Sequence, residues 1–207
     1  MTVEIPDRDR LEVTDEEGAI LQRLASQVPK GQSIVEVGSY RGRSTAFLAR
    51  GSHEGNGATV YAIDLWTDGP DHAKGGHGKP LPRPYNATET RRIFDARMER
   101  DGHGLVQPIQ EHSVEAAKLF APEATGLVFV DGSHAYADVM DDITAWVPTV
   151  APGGAMVLHD WIFKRVRAAA RDTLGKRKDF AREMVIERHQ IKTKKAGGLA
   201  VYRKRVP

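Results

Sequence analysis

The 207-residue sequence predicts an α/β fold: one doubly wound, mostly parallel seven-stranded sheet that ends in an antiparallel hairpin. Three observations predict it. Short apolar, β-rich runs alternate with helical patterns through most of the chain, the mark of a parallel sheet covered on both faces. These runs are continuous rather than alternating, as strands buried on both faces must be. The last two β-rich stretches have no helix between them, so they return on each other as a hairpin.

Residues 14–29 read as an amphipathic helix, with Thr14 and Glu17 in a capping-box pattern and Ile20, Leu21 and Leu24 as the apolar stripe. Residues 1–30 thus form a helical extension within a single domain spanning 1–207. Ser33–Val37 is the first strand, closing on Gly38, and Ser44–Arg50 is helical. Thr59–Ile63 is a second strand, ending at Asp64. Residues 67–86 are broken by Gly, Pro and His, among them His72 and His77, and a loop of that length marks a candidate lid. Residues 87–100 are helical, Leu105–Ile109 is a strand and Ser113–Phe120 a helix. Leu127–Val130 is a strand ending at Asp131, Tyr136–Val147 a helix, and Ala155–Leu158 a strand ending at His159 and Asp160. A helix over 162–175 and strands near 183–189 and 198–203 complete the chain.

The composition, 40% hydrophobic and 28% charged, is that of a globular domain. The absence of cysteine excludes disulfides and thiolate metal sites and fits a reducing compartment. The polar N-terminus lacks a signal-peptide pattern, and no apolar run approaches the ~20 residues of a membrane span. A cytoplasmic protein with no membrane partner is expected. The net charge of +2 hides an asymmetry: residues 164–207 carry 15 Lys and Arg against 4 Asp and Glu, the remainder 15 against 24. A basic C-terminal third attracts phosphates or nucleic acid, or is simply a solvated face.

In doubly wound sheets ligands bind beyond the carboxyl ends of the strands. Here nearly every strand ends in a polar cluster. After the first strand, Gly38 and Gly42 let the backbone turn sharply before a helix whose N-terminus favours an anion, and Glu36 is placed to accept from an ammonium. Asp64 stands where a carboxylate accepts ribose hydroxyls. His134 follows Asp131 at the start of a helix, where an imidazole can take a proton from a hydroxyl or amine. Asp160 ends the strand next to that of Asp131, and two converging carboxylates call for a cation or proton between them.

Together, Glu36-x-Gly38-Ser39-Tyr40-x-Gly42-x-Ser44, Asp64, Asp131-Gly-Ser-His134-x-Tyr136, Asp142 and Gly153-Gly154…His159-Asp160-Trp161 resemble the class I S-adenosylmethionine-dependent methyltransferases. The resemblance is nearest to the branch of macrolide-sugar and rhamnosyl O-methyltransferases and cephalosporin-hydroxylase-like proteins, and covers residues 30–165. It implies the Rossmann-like methyltransferase fold and a small hydroxyl-bearing acceptor of sugar or natural-product type. It implies that Glu36, Gly38, Ser39 and Tyr40 contact the methionine part of the cofactor, with Gly42 in the same turn and Ser44 near its carboxylate. Asp64 would hold the ribose, Leu65 and Trp66 would lie beside the adenine, and His112 and Ser113 at its edge. Asp131 would also border the cofactor, and Asp131 and Asp160 would hold Mg²⁺. His134 would be the general base. The catechol-type relatives have Asn where this chain has Trp161, and the macrolide-sugar type has an acid where it has His159, which makes His159 the replacement metal ligand. Relatives of this kind often form homo-oligomers.

Three other readings stand beside this one. The basic third would let the same cofactor serve an RNA methyltransferase, although it has little aromatic interleaving. Asp64 would also suit an NAD-dependent oxidoreductase, although Tyr40 replaces the second glycine of the dinucleotide fingerprint. The last is a non-catalytic binding module.

Overall fold

The computed structural model describes residues 13–67, 86–186 and 197–207, with the backbone of 74–75 and 79–80. The expected lid and the end of the first hairpin strand therefore lie largely outside the described residues. Helix α1 (Asp15–Ser26) opens the fold with the foreseen capping box, in which Thr14 and Glu17 hold each other's backbone N–H. Strand β1 (Ser33–Val37), helix α2 (Arg43–Glu54) and strand β2 (Val60–Asp64) follow. Two short antiparallel strands, β3 (Lys74–Gly75) and β4 (Lys79–Pro80), lie within the long loop. Helix α3 (Ala87–Asp101), capped by Asn86, leads to β5 (Val106–Gln110). Then come α4 (Ser113–Ala117), β6 (Thr125–Val130), α5 (Tyr136–Trp146), β7 (Val150–Leu158), α6 (Lys164–Asp172), β8 (Phe180–Ile186) and β9 (Leu199–Lys204).

The main sheet has seven strands in the order β5-β2-β1-β6-β7-β9-β8. The first five are parallel, and β9 and β8 close the edge antiparallel. Strand order reverses between β1 and β6, and the crevice at that switch point is where this architecture binds ligands. Adjacent strand residues feed opposite layers. Val35, Val128 and Met156 pack with Trp146 and Ile143 of α5 and the alanines of α6, whereas Ile34, Leu127 and Val157 pack with Leu21 and Leu24 of α1 and Leu48 of α2.

Two expectations change. Strand β7 is nine residues long, because its first half pairs at Val150 with Thr125 before the turn at Gly153. Strand β5 is not a doubly buried run: it is an edge strand with Gln107, Pro108 and Gln110 exposed, and an edge is where a proline costs no ladder hydrogen bond. Among the described residues no helix is long and apolar enough to cross a membrane.

Candidate active site

The crevice is built where β1, β2, β6 and β7 end. Gly38 leaves β1 at φ +86°, and a Cβ there would lie 2.5 Å from the Asp131 carbonyl oxygen and 2.6 Å from Gly132 Cα. Only glycine permits the two turns to abut this way. Lacing is completed by Asp131 N donating to Val37 O at 2.8 Å, Gly38 N to Ile63 O at 2.8 Å and His159 N to Val130 O at 3.0 Å. Three non-glycine residues at these strand ends, Tyr40, Trp66 and Asp160, have left-handed φ of +47°, +41° and +53°. Such conformations persist only where surrounding structure enforces them, and they cluster at functional sites.

The turn after β1 is organised by Asp64. One of its oxygens accepts Tyr40 N–H at 2.8 Å, the other accepts Trp66 N–H at 2.9 Å. Each oxygen keeps a second lone pair for a further donor. Gly42, left-handed at φ +80°, begins α2, and no side chain caps that helix. Its first N–H groups are thus a ready site for a carboxylate. Ser44 is buried in that first turn, and Leu65 is half-buried beside Asp64.

Glu36 and Trp66 are both buried at this turn. Glu36 is fully buried at the turn, where Thr45 Oγ1 donates to its Oε2, so it braces the loop. Burial raises its pKa to about 7, against the opposing pull of the Ser44, Thr45 and Ser39 hydroxyls, and Asp131 adds to the rise. Glu36 Oε1 and Ser39 Oγ are buried without an aligned hydrogen-bond partner. Trp66 is 4% exposed, packs on Phe94 at 4.8 Å between centroids, and donates its indole N–H to Tyr40 O at 2.9 Å. An indole buries a large apolar surface only if its N–H finds a partner, and Tyr40 provides it.

His112 caps α4, its Nδ1 accepting Val114 N–H at 3.4 Å, and stays exposed. Ser113 Oγ accepts the Trp146 indole N–H at 2.9 Å. Close by is Asp142, nearly buried, whose pKa burial raises to about 6 against the pull of Ser113 and His112.

The ends of β6 and β7 hold the charged cluster. Asp131, His134 and Asp160 bring one donor atom each to within 4.8 Å of one another. His134 Nε2 contacts Asp160 Oδ2 directly. Burial alone would lower the His134 pKa, but Asp160 and then Asp131 outweigh it and hold it above the ordinary histidine value. Burial likewise raises Asp131, with Asp160 adding to the rise and His159 opposing it.

His159, expected from the sequence as a metal ligand, lies beside the group of donor atoms that the fold gathers and is engaged with two acids. It is 6% exposed, its Nδ1 lies 2.7 Å from Asp131 Oδ1, and its Nε2 lies 3.4 Å from Glu17 Oε1. With an acid on each ring nitrogen, the effects of Asp131 and Asp160 overcome burial and hold its pKa well above the ordinary value. The ligand set the fold brings together is Asp131, His134 and Asp160.

Glu17 is the site residue that sequence reasoning missed. It reads as a helix cap, and it is one, but it is also fully buried against His159. The available signal was its spacing: residue 17 falls on the same helix face as Leu21 and Leu24, where a carboxylate needs a partner.

Comparison with known proteins agrees with this architecture. Residues 35–161 match a family described as a methyltransferase domain, and the chain belongs to that family. Fold and family are those of class I S-adenosylmethionine-dependent methyltransferases. The uncharacterized protein y4gI of Sinorhizobium fredii is 27% identical over 128 residues, 61% of this chain, and the chain spans 13% of that protein's length. The O-methyltransferase TomG from Streptomyces achromogenes, involved in tomaymycin synthesis and solved with S-adenosylmethionine, superposes with a TM-score of 0.66 at 17% identity, covering 95% of this chain and 83% of TomG. An O-methyltransferase from Bacillus cereus, solved with S-adenosylhomocysteine, superposes at 0.65 with 17% identity, covering 97% and 84% of the two chains.

Proposed function

We propose that this methyltransferase moves the sulfonium methyl group of S-adenosylmethionine to a hydroxyl oxygen of a small molecule of sugar or natural-product type. The observation that carries the reading is the abutment of Gly38 on Asp131. It sets a turn suited to an amino-acid-bearing nucleoside directly against an acid–base cluster. The uncapped start of α2 would take the cofactor carboxylate, and Asp64 would take the ribose hydroxyls. TomG and the Bacillus cereus enzyme, both O-methyltransferases solved with this cofactor or its product, support the same assignment.

In the reaction the acceptor oxygen displaces the sulfonium, the carbon–sulfur bond breaks, and S-adenosylhomocysteine leaves neutral at sulfur. Much of the rate comes from holding oxygen, carbon and sulfur in line. His134 takes the hydroxyl proton, with Asp160 orienting the ring and stabilising the imidazolium. Because Asp160 holds the His134 pKa above the ordinary value, turnover rises with pH through a midpoint above 6.5. Asp131, His134 and Asp160 also fit a divalent cation, and their imidazole favours a transition-metal ion over Mg²⁺. When bound, such an ion would polarise the acceptor hydroxyl and lower its pKa.

Among the described residues of the basic C-terminal third, several cations are engaged with neighbouring acids, which lends the RNA reading little support. Arg177 pairs with Asp179, Arg203 with Glu183 and Lys204 with Glu123, the pattern of a solvated face. Calorimetry with S-adenosylhomocysteine and NADH side by side tests the cofactor, and release of S-adenosylhomocysteine over a panel of hydroxyl compounds tests the transfer. Binding of the homocysteine compound alone is expected, with release on at least one acceptor. Binding of NADH alone, or of neither, would overturn the proposal.

A further inference from the structure

The family match ends at residue 161 and begins at 35, yet the two acceptor-side carboxylates are held in place from outside those limits. Glu17 of α1 reaches across the sheet to three partners. Its Oε2 accepts the Thr14 backbone N–H at 2.9 Å and the Thr14 hydroxyl at 3.0 Å. Its Oε1 accepts Gly198 N–H at 2.9 Å and lies 3.4 Å from His159 Nε2. His159 in turn fixes Asp131 through the 2.7 Å contact at Nδ1. The Gly198 bond sets the backbone behind Asp160. There Gly197 O accepts Ile162 N–H at 2.7 Å, Gly198 O accepts Trp161 N–H at 3.2 Å, and a side chain on Gly197 would run into Asp160 Oδ1. One carboxylate, 0% exposed and 181 residues away from Gly198 in sequence, thus touches both the ring that contacts Asp131 and the backbone packed behind Asp160.

We propose that Glu17 is a positioning residue of the active site: through His159 it orients Asp131, and through Gly198 it locks the backbone that carries Asp160. The helix ahead of the family domain is thereby part of the catalytic apparatus. The catalytic consequence rests on the proposed roles of Asp131 and Asp160, whereas the positioning itself does not.

The test compares Glu17→Gln, which keeps the shape but loses the charge that holds His159, with Thr14→Ala, which removes only the capping hydroxyl. Proton NMR of the full chain reads the His159 ring N–H that faces Asp131, assigned by its disappearance in His159→Gln. The wild type is expected to show this proton protected from exchange, Thr14→Ala to keep it, and Glu17→Gln to lose it. On whichever acceptor the hydroxyl panel returns, Glu17→Gln lowers kcat on the order of tenfold, as loss of an outer-shell partner does, with the KM for S-adenosylmethionine unchanged. Should Glu17→Gln fail to fold, Glu17→Asp, which keeps the charge but cannot span the gap, is read by the same signal. A ring proton that survives loss of the Glu17 carboxylate, that vanishes equally in Thr14→Ala, or that is absent from the wild type would overturn the proposal. Absence of turnover in the wild type bears on the proposed function alone, because the ring signal decides Glu17 without it.

Discussion

The two halves of the crevice are built by different means. The cofactor half comes from two short contiguous stretches, residues 36–45 and 64–66, and works mainly through backbone: a left-handed glycine, an uncapped helix start, and a carboxylate gripping two N–H groups. The acceptor half is gathered from residues 17, 131–134, 159–160 and 197–198 and works through charge. Asp131, His134 and His159, all held above their ordinary pKa values, belong to this second half. A backbone device tolerates a neighbour's change as long as the turn survives. A charge network depends on every member, because one buried charge left alone is costly.

That difference can be attacked from the cofactor side first. Gly38→Ala should have the largest effect, since any Cβ meets the Asp131 backbone and φ +86° is strained for alanine. A loss of about 3 kcal/mol or more of stability is expected in denaturant melts, with S-adenosylhomocysteine binding abolished. If the variant keeps both, the abutment of the halves is not needed.

A smaller effect concerns Glu36. It ionises near 4.5 when unfolded and near 7 when folded, so the folded chain holds more protons between those values. Its stabilising contribution is complete below pH 4.5 and is lost as pH rises through 7, a swing of about 3 kcal/mol at most. Glu36→Gln should flatten that slope in unfolding experiments across the window. An unchanged slope would mean that Glu36 is not the buried acid of this half.

The smallest effect is expected at Trp66. Trp66→Phe keeps the packing on Phe94 but leaves the Tyr40 carbonyl without its 2.9 Å donor. A cost of about 1 kcal/mol in thermal melts follows, with a weaker hold on the Asp64 turn and hence on S-adenosylhomocysteine.

The same contrast explains what the sequence disclosed. The alternation of strands and helices, the capping box at Thr14 and Glu17, and the turn from Gly38 to Ser44 are local patterns, and each was legible from neighbouring residues. Asp64, Asp131 and Asp160 were legible as strand ends because the parallel sheet aligns such ends on one side. The direction of a side chain was not. That Glu36 meets Thr45 of α2 and Trp66 meets Phe94 of α3 is set by tertiary packing, which neighbouring residues do not disclose. His159 passes for a ligand until Glu17, 142 residues earlier, is seen on its other nitrogen. Edge placement made β5 more exposed than its apolar ends suggested.

The central claim is that the two halves act separately on one methyl transfer, one holding the nucleoside and the other activating the acceptor. His134→Ala tests it most directly, by titrating S-adenosylhomocysteine calorimetrically and measuring turnover on the same preparation. The account predicts an unaltered dissociation constant and turnover lower by about 10²–10⁴-fold, the range of general-base catalysis. Unimpaired turnover, or a loss explained by weakened nucleoside binding, would contradict it.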